Sequence, residues 1–207
     1  IAVGTIYPSK YTERFLKEIH PKLCAMFEGL NIQAGVLNIQ FFVENNVFYI
    51  YDPGFRLQGE APHIHLAAIN GFDHRKMLIN YAFTGVFGED DFPEKNDYMF
   101  RGKTACSVWI LLKGGKIDRI EGLKEIKANK NVAYVAERFK VGDTVKEEFL
   151  GTERQIIYRF YVNADSIVEV NQIIDNIKNT LKICDSNGEN MILEWLKPWN
   201  TEDYTFN

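Results

Sequence analysis

Apolar residues along the first stretch of the chain recur at the spacing of a helix face. Phe15, Leu16, Ile19, Leu23, Met26, Phe27 and Leu30 predict an amphipathic helix over residues 11–29, kinked at Pro21 and closed by Gly29 and Asn31. After Gly35 the period changes. Asn38-Ile39-Gln40-Phe41-Phe42-Val43 and Phe48-Tyr49-Ile50-Tyr51-Asp52 are rich in β-branched and aromatic residues and flank Asn45-Asn46, which predicts a β-hairpin. With the turn at the two asparagines, residue numbers on facing strands sum to about 91, setting Gln40 opposite Tyr51 and one step from Asp52. A Gly-containing loop runs from Pro53 to Gly59. Pro62 suits the first turn of a helix over His63 to Asn70, Gly71 stops it, and a second helix covers about Asp73 to Phe83.

The segment Gly88 to Asp97 is polar and carries Pro93, so it reads as a connector. The expected organisation is a first domain over 1–87, a connector over 88–101 and a second, strand-rich domain over 102–207. In the second domain Ala105 to Lys113 and Lys116 to Ile120 flank Gly114-Gly115, a pair suited to a two-residue hairpin turn. Asn131 to Phe139 and Arg154 to Val162 also read as strands. Ser166 and Glu169 form a capping box ahead of Ile167, Val170, Ile174, Ile177 and Leu181, predicting a helix from about 167 to 182. A last strand covers Met191 to Leu196, and the tail from Pro198 is polar and expected to fray. The fold class expected is α+β: an antiparallel sheet with helices, then a small β-rich domain with one long helix.

Composition narrows the function classes. The 207 residues are 46% hydrophobic and 25% charged, as in an ordinary globular protein. A formal charge of −4 gives no reason to expect nucleic acid, whose binders usually carry a basic face. No run of about 18 apolar residues marks a membrane span. Cys24, Cys106 and Cys184 are an odd, widely spaced set without a CxxC, which favours reduced thiols and a cytoplasmic setting. A start at Ile1 without a basic n-region or apolar h-region argues against an intact signal peptide and for a fragment of a longer chain.

The candidate chemistry lies at the end of the first hairpin. Gln40, Asp52 and Arg56 bring two oxygen-bearing side chains and a guanidinium together, a grouping suited to a hard divalent cation and a phosphoryl group. The bland reading of Asp52-Pro53-Gly54 is a turn. Gln40, between Ile39 and Phe41, needs solvent or a partner, and Arg56, Gln58 and Glu60 share one side if their segment is extended. His63 and His65, two apart on a helix, point about 200° away from each other and cannot share a metal. Gly114-Gly115 between lysines is a turn rather than a phosphate cradle. The thiols have no paired histidine in the sequence, which argues against nucleophilic catalysis. Trp109, Trp195 and Trp199 read as packing residues.

The hairpin resembles the metal-binding end of the ATP-grasp superfamily, where strand, short turn and strand are followed by acid-x-Asn-x-Arg. Asn38-Ile39-Gln40-Phe41 is similar to the first metal-ligand strand of the carbamoyl-phosphate synthetase and biotin carboxylase branch. Residues 103–197, with Lys140-Val141-Gly142-Asp143-Thr144-Val145, look like the small β-rich domain that follows the grasp core. The resemblance implies that Gln40 and Asp52 hold Mg²⁺ between the phosphates of ATP, that Arg56 and Asn38 contact the nucleotide, and that Arg56 steadies the transferred phosphoryl or the acyl phosphate. It places Glu60 where that branch has an acid acting as base. It further implies ADP-forming ligation of a small carboxylate to an amine. Two departures accompany it: Gly54 stands where the pattern has an Asn ligand, and Asp52 replaces the usual Glu. The superfamily's phosphate loop, lid strands and adenine-contacting segment do not precede Ile1, so the expectation is a carboxyl-terminal half, inactive in isolation. The alternative is a noncatalytic interaction module with a degenerate ATP-grasp site.

Overall fold

The computed structural model describes residues 1–89 and 91–204. Asp90 of the expected connector and the last three residues of the tail lie outside the described residues. The chain forms two compact units, one of residues 11–97 and one joining residues 1–10 to residues from 98 onward.

The first strand, β1 (Gly4–Tyr7), belongs to the second unit, where it pairs antiparallel with a strand a hundred residues away in register Gly4↔Val108 to Tyr7↔Ala105. The expected first domain over 1–87 therefore differs from the observed unit at its start: the opening ten residues fold with the later block.

The unit of residues 11–97 begins with two helices where periodicity alone predicts one. Helix α1 (Thr12–Glu18) stops at Ile19, and α2 (His20–Gly29) restarts with Pro21 in its first turn. Proline lacks the N–H that a continuous helix would need there, and its ring clashes with the carbonyl four residues back, so the chain breaks rather than bends. Strands β2 (Asn38–Glu44) and β3 (Val47–Gly54) form a two-stranded ribbon, with no third strand paired to it among the described residues. One face of the ribbon rests on the helices, Phe15 stacking on Phe41 at 5.1 Å and meeting Phe48 at 5.9 Å. Arg14 lies 4.5 Å over the Phe48 ring and donates to the Asn46 carbonyl, tying the turn to α1. Helices α3 (His63–Ile69), α4 (His74–Thr84) and the short α5 (Phe92–Lys95) complete the unit. Asp73 caps α4 by accepting from the Arg75 N–H, and Gly85 closes it in the left-handed region.

In the second unit β4 (Thr104–Leu111) lies between β1 and a later strand. Then come β5 (Gly115–Lys116), β6 (Arg119–Glu121), α6 (Leu123–Lys127), β7 (Val132–Glu137), β8 (Thr144–Val145), β9 (Ile156–Ala164), α7 (Ile167–Thr180) and β10 (Lys182–Cys184). The main sheet has the order β1-β4-β9-β7 with every neighbour antiparallel. The expected Gly114-Gly115 hairpin does not form. Both edges of β4 are already taken, so the chain leaves the sheet: β5 pairs with β8, β6 with β10, and Lys113 N–H donates to Met191 O. The expected strand from Met191 to Leu196 shrinks to a single bridge, Ile192 to Leu112, while β10 takes residues from Lys182 that the helical pattern of Thr180-Leu181-Lys182 assigns to the helix. The long helix is as expected, with Ser166 Oγ accepting from Glu169 N–H at 3.2 Å and Glu169 returning to Asp165 N–H at 2.9 Å. Its buried face, Ile167, Val170, Ile173, Ile174 and Ile177, packs on Cys106, Val108, Ile110, Phe160 and Val162 of the sheet.

That packing carries the stability of the second unit. Replacing Ile174 by Ala is expected to cost about 3 kcal/mol through the cavity it leaves, whereas Ser166→Ala costs about 1 kcal/mol through the lost cap. Urea unfolding of the two variants checks the order, and equal losses would contradict it.

Candidate functional site

The hairpin is pinned at its tip by Asn45 and Asn46, both at positive φ (47° and 61°), the conformation of a two-residue turn whose twist matches the strands. From the tip, Glu44↔Val47, Phe42↔Tyr49 and Phe41↔Ile50 follow the expected register. It then shifts between Gln40 and Phe41, and Gln40 lies directly opposite Asp52 rather than Tyr51. Tyr51 is the extra residue of a β-bulge. Without it, period-two alternation would set Asp52 opposite Ile39, on the face that packs against the helices. The bulge transfers Asp52 to the other face, which it shares with Gln40 and Asn38.

This open face has a polar end and an aromatic stripe. Asn38 faces Gly54 and Gln40 faces Asp52. Next come the rings: Phe42 stacks on Tyr49 at 5.1 Å, and Tyr51 lies 6.2 Å from Phe42. All three rings are exposed, Tyr51 at 62%. Tyr51 Oη donates to Gln40 Oε1 at 2.9 Å, which satisfies the amide oxygen and fixes its orientation. The Asp52 side chain is exposed and has no ion pair or hydrogen bond among the described residues.

Arg56 reaches the same end by a tight reversal. Its N–H donates to Gly54 O at 2.8 Å, closing a three-residue turn about Phe55. Its side chain then lies against Gly54, where a Cβ would meet Arg56 Nε at 3.3 Å. Arg56 Nη1 donates to Leu57 O at 3.0 Å, steadying the guanidinium. Phe55 anchors the reversal by laying its ring on Gly35, at φ 150°, where a Cβ would fall 2.0 Å from ring Cζ. Bends at Phe55 and Arg56 and a turn at Gly59 and Glu60 interrupt the segment, so it forms no strand that would align Arg56, Gln58 and Glu60. Glu60 sits outside the hairpin ladder, on the loop entering α3, engaged in an interaction of its own. The structure thus gathers Asn38, Gln40, Asp52 and Arg56 at one hairpin end, and Glu60 follows on a separate turn.

The donor set fits one hard divalent cation. A carboxylate and two amide oxygens offer the ligands that Mg²⁺ or Mn²⁺ prefers, and such ions keep several waters or phosphate oxygens in addition. Among the described residues no three His, Cys, Asp or Glu side chains gather as a metal cluster. His65 is fully buried, and the ring that meets His63 is His74, 6.0 Å away and edge-on. Burial, then the nearby Arg75 charge, lowers the affinity of His63 for a proton, and burial followed by His63 lowers that of His74. Asp73 is pulled down to about 2, chiefly by hydrogen bonds from the Arg75 guanidinium at 3.1 and 2.7 Å.

The thiols require one correction. Cys24 is exposed and has His20 one helical turn before it, its sulfur 3.7 and 3.8 Å from the two ring nitrogens. Near-equal distances to both nitrogens mean that the sulfur lies along neither lone pair, so the pair lacks the geometry of a base and its nucleophile. Burial pushes the Cys106 thiol up to about 12, which leaves it unreactive. Sequence reasoning missed Phe42, Tyr49 and Tyr51 as a surface; their parity across the Asn45-Asn46 turn was the available signal.

As a sequence the chain matches no protein-family model and no curated protein. Its fold matches solved structures closely. An L-amino acid ligase from Bacillus licheniformis superposes with a TM-score of 0.71 at 17% identity, over 90% of this chain and 45% of that one. A phosphoribosylglycinamide synthetase from Anaerococcus prevotii gives 0.71 at 15% identity, over 89% and 45%. The biotin carboxylase domain of the Hydrogenobacter thermophilus 2-oxoglutarate carboxylase, solved with MgADP, ADP and bicarbonate, gives 0.63 at 15%, over 87% and 40%. The α+β fold expected from the ATP-grasp resemblance is the fold of this chain, which spans less than half the length of these structures.

Two outcomes follow from the geometry. Gly35→Ala displaces Phe55 and loosens the reversal behind it, and is expected to destabilise the 11–97 unit by about 2 kcal/mol through overpacking and a strained φ; a thermal melt within about 1 °C of the unsubstituted chain would contradict the anchor. Because His63 and His74 bind protons less readily folded than unfolded, the unfolded chain takes up more protons and stability falls as the pH drops below about 6.5. Asp73 stays charged through this window and adds no slope. Urea midpoints between pH 7 and 5 should decline, and the decline should flatten in His63→Gln/His74→Gln.

Proposed function

We propose that this chain is the cation- and phosphate-holding part of an ATP-dependent, ADP-forming ligase that joins a small carboxylate to an amine. The observation that carries the reading is the bulge at Tyr51, which sets Asp52 opposite Gln40 beside Asn38 and Arg56 on an open face. Support comes from a fold shared with three ligases and carboxylases, one of them solved with MgADP. The hairpin pattern further favours the carbamoyl-phosphate synthetase and biotin carboxylase branch.

In this reading the triphosphate lies along the polar end of the ribbon, beside Asn38, Gln40, Asp52 and Arg56. A bound Mg²⁺ would neutralise phosphate charge and orient the γ-phosphoryl group. Gln40 and Asp52 would supply its protein oxygens, Gln40 kept in place by Tyr51. Arg56 presents a planar fork to the equatorial oxygens of the phosphoryl group. The carboxylate oxygen of the acyl substrate forms a bond to the γ-phosphorus as the bond to ADP breaks. The amine then attacks the acyl carbon and phosphate departs, its proton passing to a base for which Glu60 is the candidate. No step needs an activated Ser or Cys, in keeping with an inert Cys106 and a misaligned Cys24.

In the complete protein Asp52→Asn should lower turnover at least about 100-fold, the scale of losing one preorganised charge contact, with an unchanged melting temperature; undiminished turnover removes Asp52 from the site. Calorimetry with MgADP should show the isolated 207-residue segment binding far more weakly than the complete protein. A complete protein that binds no nucleotide would leave the noncatalytic module as the better reading.

A further inference from the structure

We infer that the second unit carries a separate binding cleft for a small monocarboxylate with an apolar body, engaged by the Tyr158 hydroxyl and by the Lys124 and Lys140 ammonium groups. All the residues of the cleft lie between Ile120 and Tyr158, within the unit from residue 98 onward, and none comes from the hairpin. The inference therefore stands apart from the ligase reading.

The cleft has a volume of about 720 Å³, the size of a small-molecule site. Helix α6 forms one wall, the chain leaving β7 from Glu137 to Val141 forms the other, and Tyr158 of β9 lies between them. Ile120, Leu123 and Phe139 give it an apolar lining and pack at the same time against the core of the unit. Both walls are held from behind. Gly122 starts α6 at φ 82°, where a Cβ would run into the Thr180 carbonyl. On the other side Gly142 N–H donates to Ile117 O at 2.8 Å and Lys140 N–H to Asp143 Oδ2 at 2.9 Å. The shape is thus set before any ligand arrives.

Tyr158 supplies the polar signal. The residue is only 1% exposed and lines the cleft, yet its hydroxyl has no hydrogen-bond partner among the described residues. An enclosed hydroxyl without a partner costs free energy that a ligand acceptor recovers. Burial, and then the Glu137 charge, pushes the phenol up to about 12, so at neutral pH it is a donor. Around the rim Lys127 and Glu137 are bonded to each other. Lys124, Lys140 and Glu125 have no ion pair among the described residues, which leaves an excess of one positive charge. A carboxylate meets all of these conditions: it accepts from the phenol in a charge-assisted bond, is drawn by the two ammonium groups, and leaves its apolar body against Ile120, Leu123 and Phe139. A ligand amine of the same shape would meet the repulsion of both lysines.

The test is calorimetry on the complete protein with 3-phenylpropionate and, as the charge control, 3-phenylpropylamine. Saturable binding of the acid is expected, about 10-fold tighter than that of the amine; no saturation, or equal affinities, would overturn the inference. Tyr158→Phe should weaken the acid about 10-fold, equivalent to about 1.4 kcal/mol, without lowering the melting temperature of the ligand-free protein, because the hydroxyl it removes has no partner to lose. A lowered melting temperature, or an unchanged affinity, would remove Tyr158 from this role. Lys140→Met should weaken the acid and leave the amine no weaker. Asp52→Asn should bind the acid as the unsubstituted protein does; loss of binding there would assign the acid to the hairpin site and overturn the cleft.

Discussion

The arrangement of this molecule's candidate site depends on one extra residue in one strand. Period-two alternation is unforgiving: a strand shifted by a single position turns every side chain to the opposite face. At Tyr51 the shift applies only beyond the bulge, so Phe48 and Ile50 stay with the helix-packed side while Asp52 joins Gln40. The tip of the hairpin serves packing and its base serves chemistry. The bulged tyrosine also contributes directly, through its bond to the Gln40 amide.

Two glycines extend the same logic. Gly35 receives the Phe55 ring, where a Cβ would fall 2.0 Å from Cζ, and Gly54 lies against the Arg56 side chain, which a Cβ would approach to 3.3 Å. Neither contact is large in area. Together they convert the chain exit after β3 from a flexible loop into a reversal with a fixed direction, and so place a charge without a long rigid element to carry it. Preorganisation of this kind matters most where the chemistry is positioning and charge neutralisation rather than covalent attack.

Much of this was legible in the sequence. Asn45-Asn46 announced the turn, the flanking aromatics announced the strands, and Ser166 with Glu169 announced the long helix, because each signal is local. The failures were nonlocal. Nothing in Tyr51 itself marks it as the bulged residue, since the bulge is decided by which faces must be buried on both strands. Gly114-Gly115 has the composition of a hairpin turn but lies after a strand whose two edges are already occupied by β1 and β9, which only the assembled sheet reveals. Pro21 reads in the sequence as a kink, whereas the chain breaks there into α1 and α2. At the site, residue types were readable and their gathering was not: Asp52 reached its face by a route that a strict register forbids.

The ribbon of β2 and β3 has one further property. Along both outer margins its backbone donors and acceptors face no strand among the described residues, and three exposed rings line the adjoining surface. A margin of that kind is adhesive toward any extended chain, including another copy of itself. Pairing at such a margin runs through main-chain hydrogen bonds and so depends little on the side chains that border it.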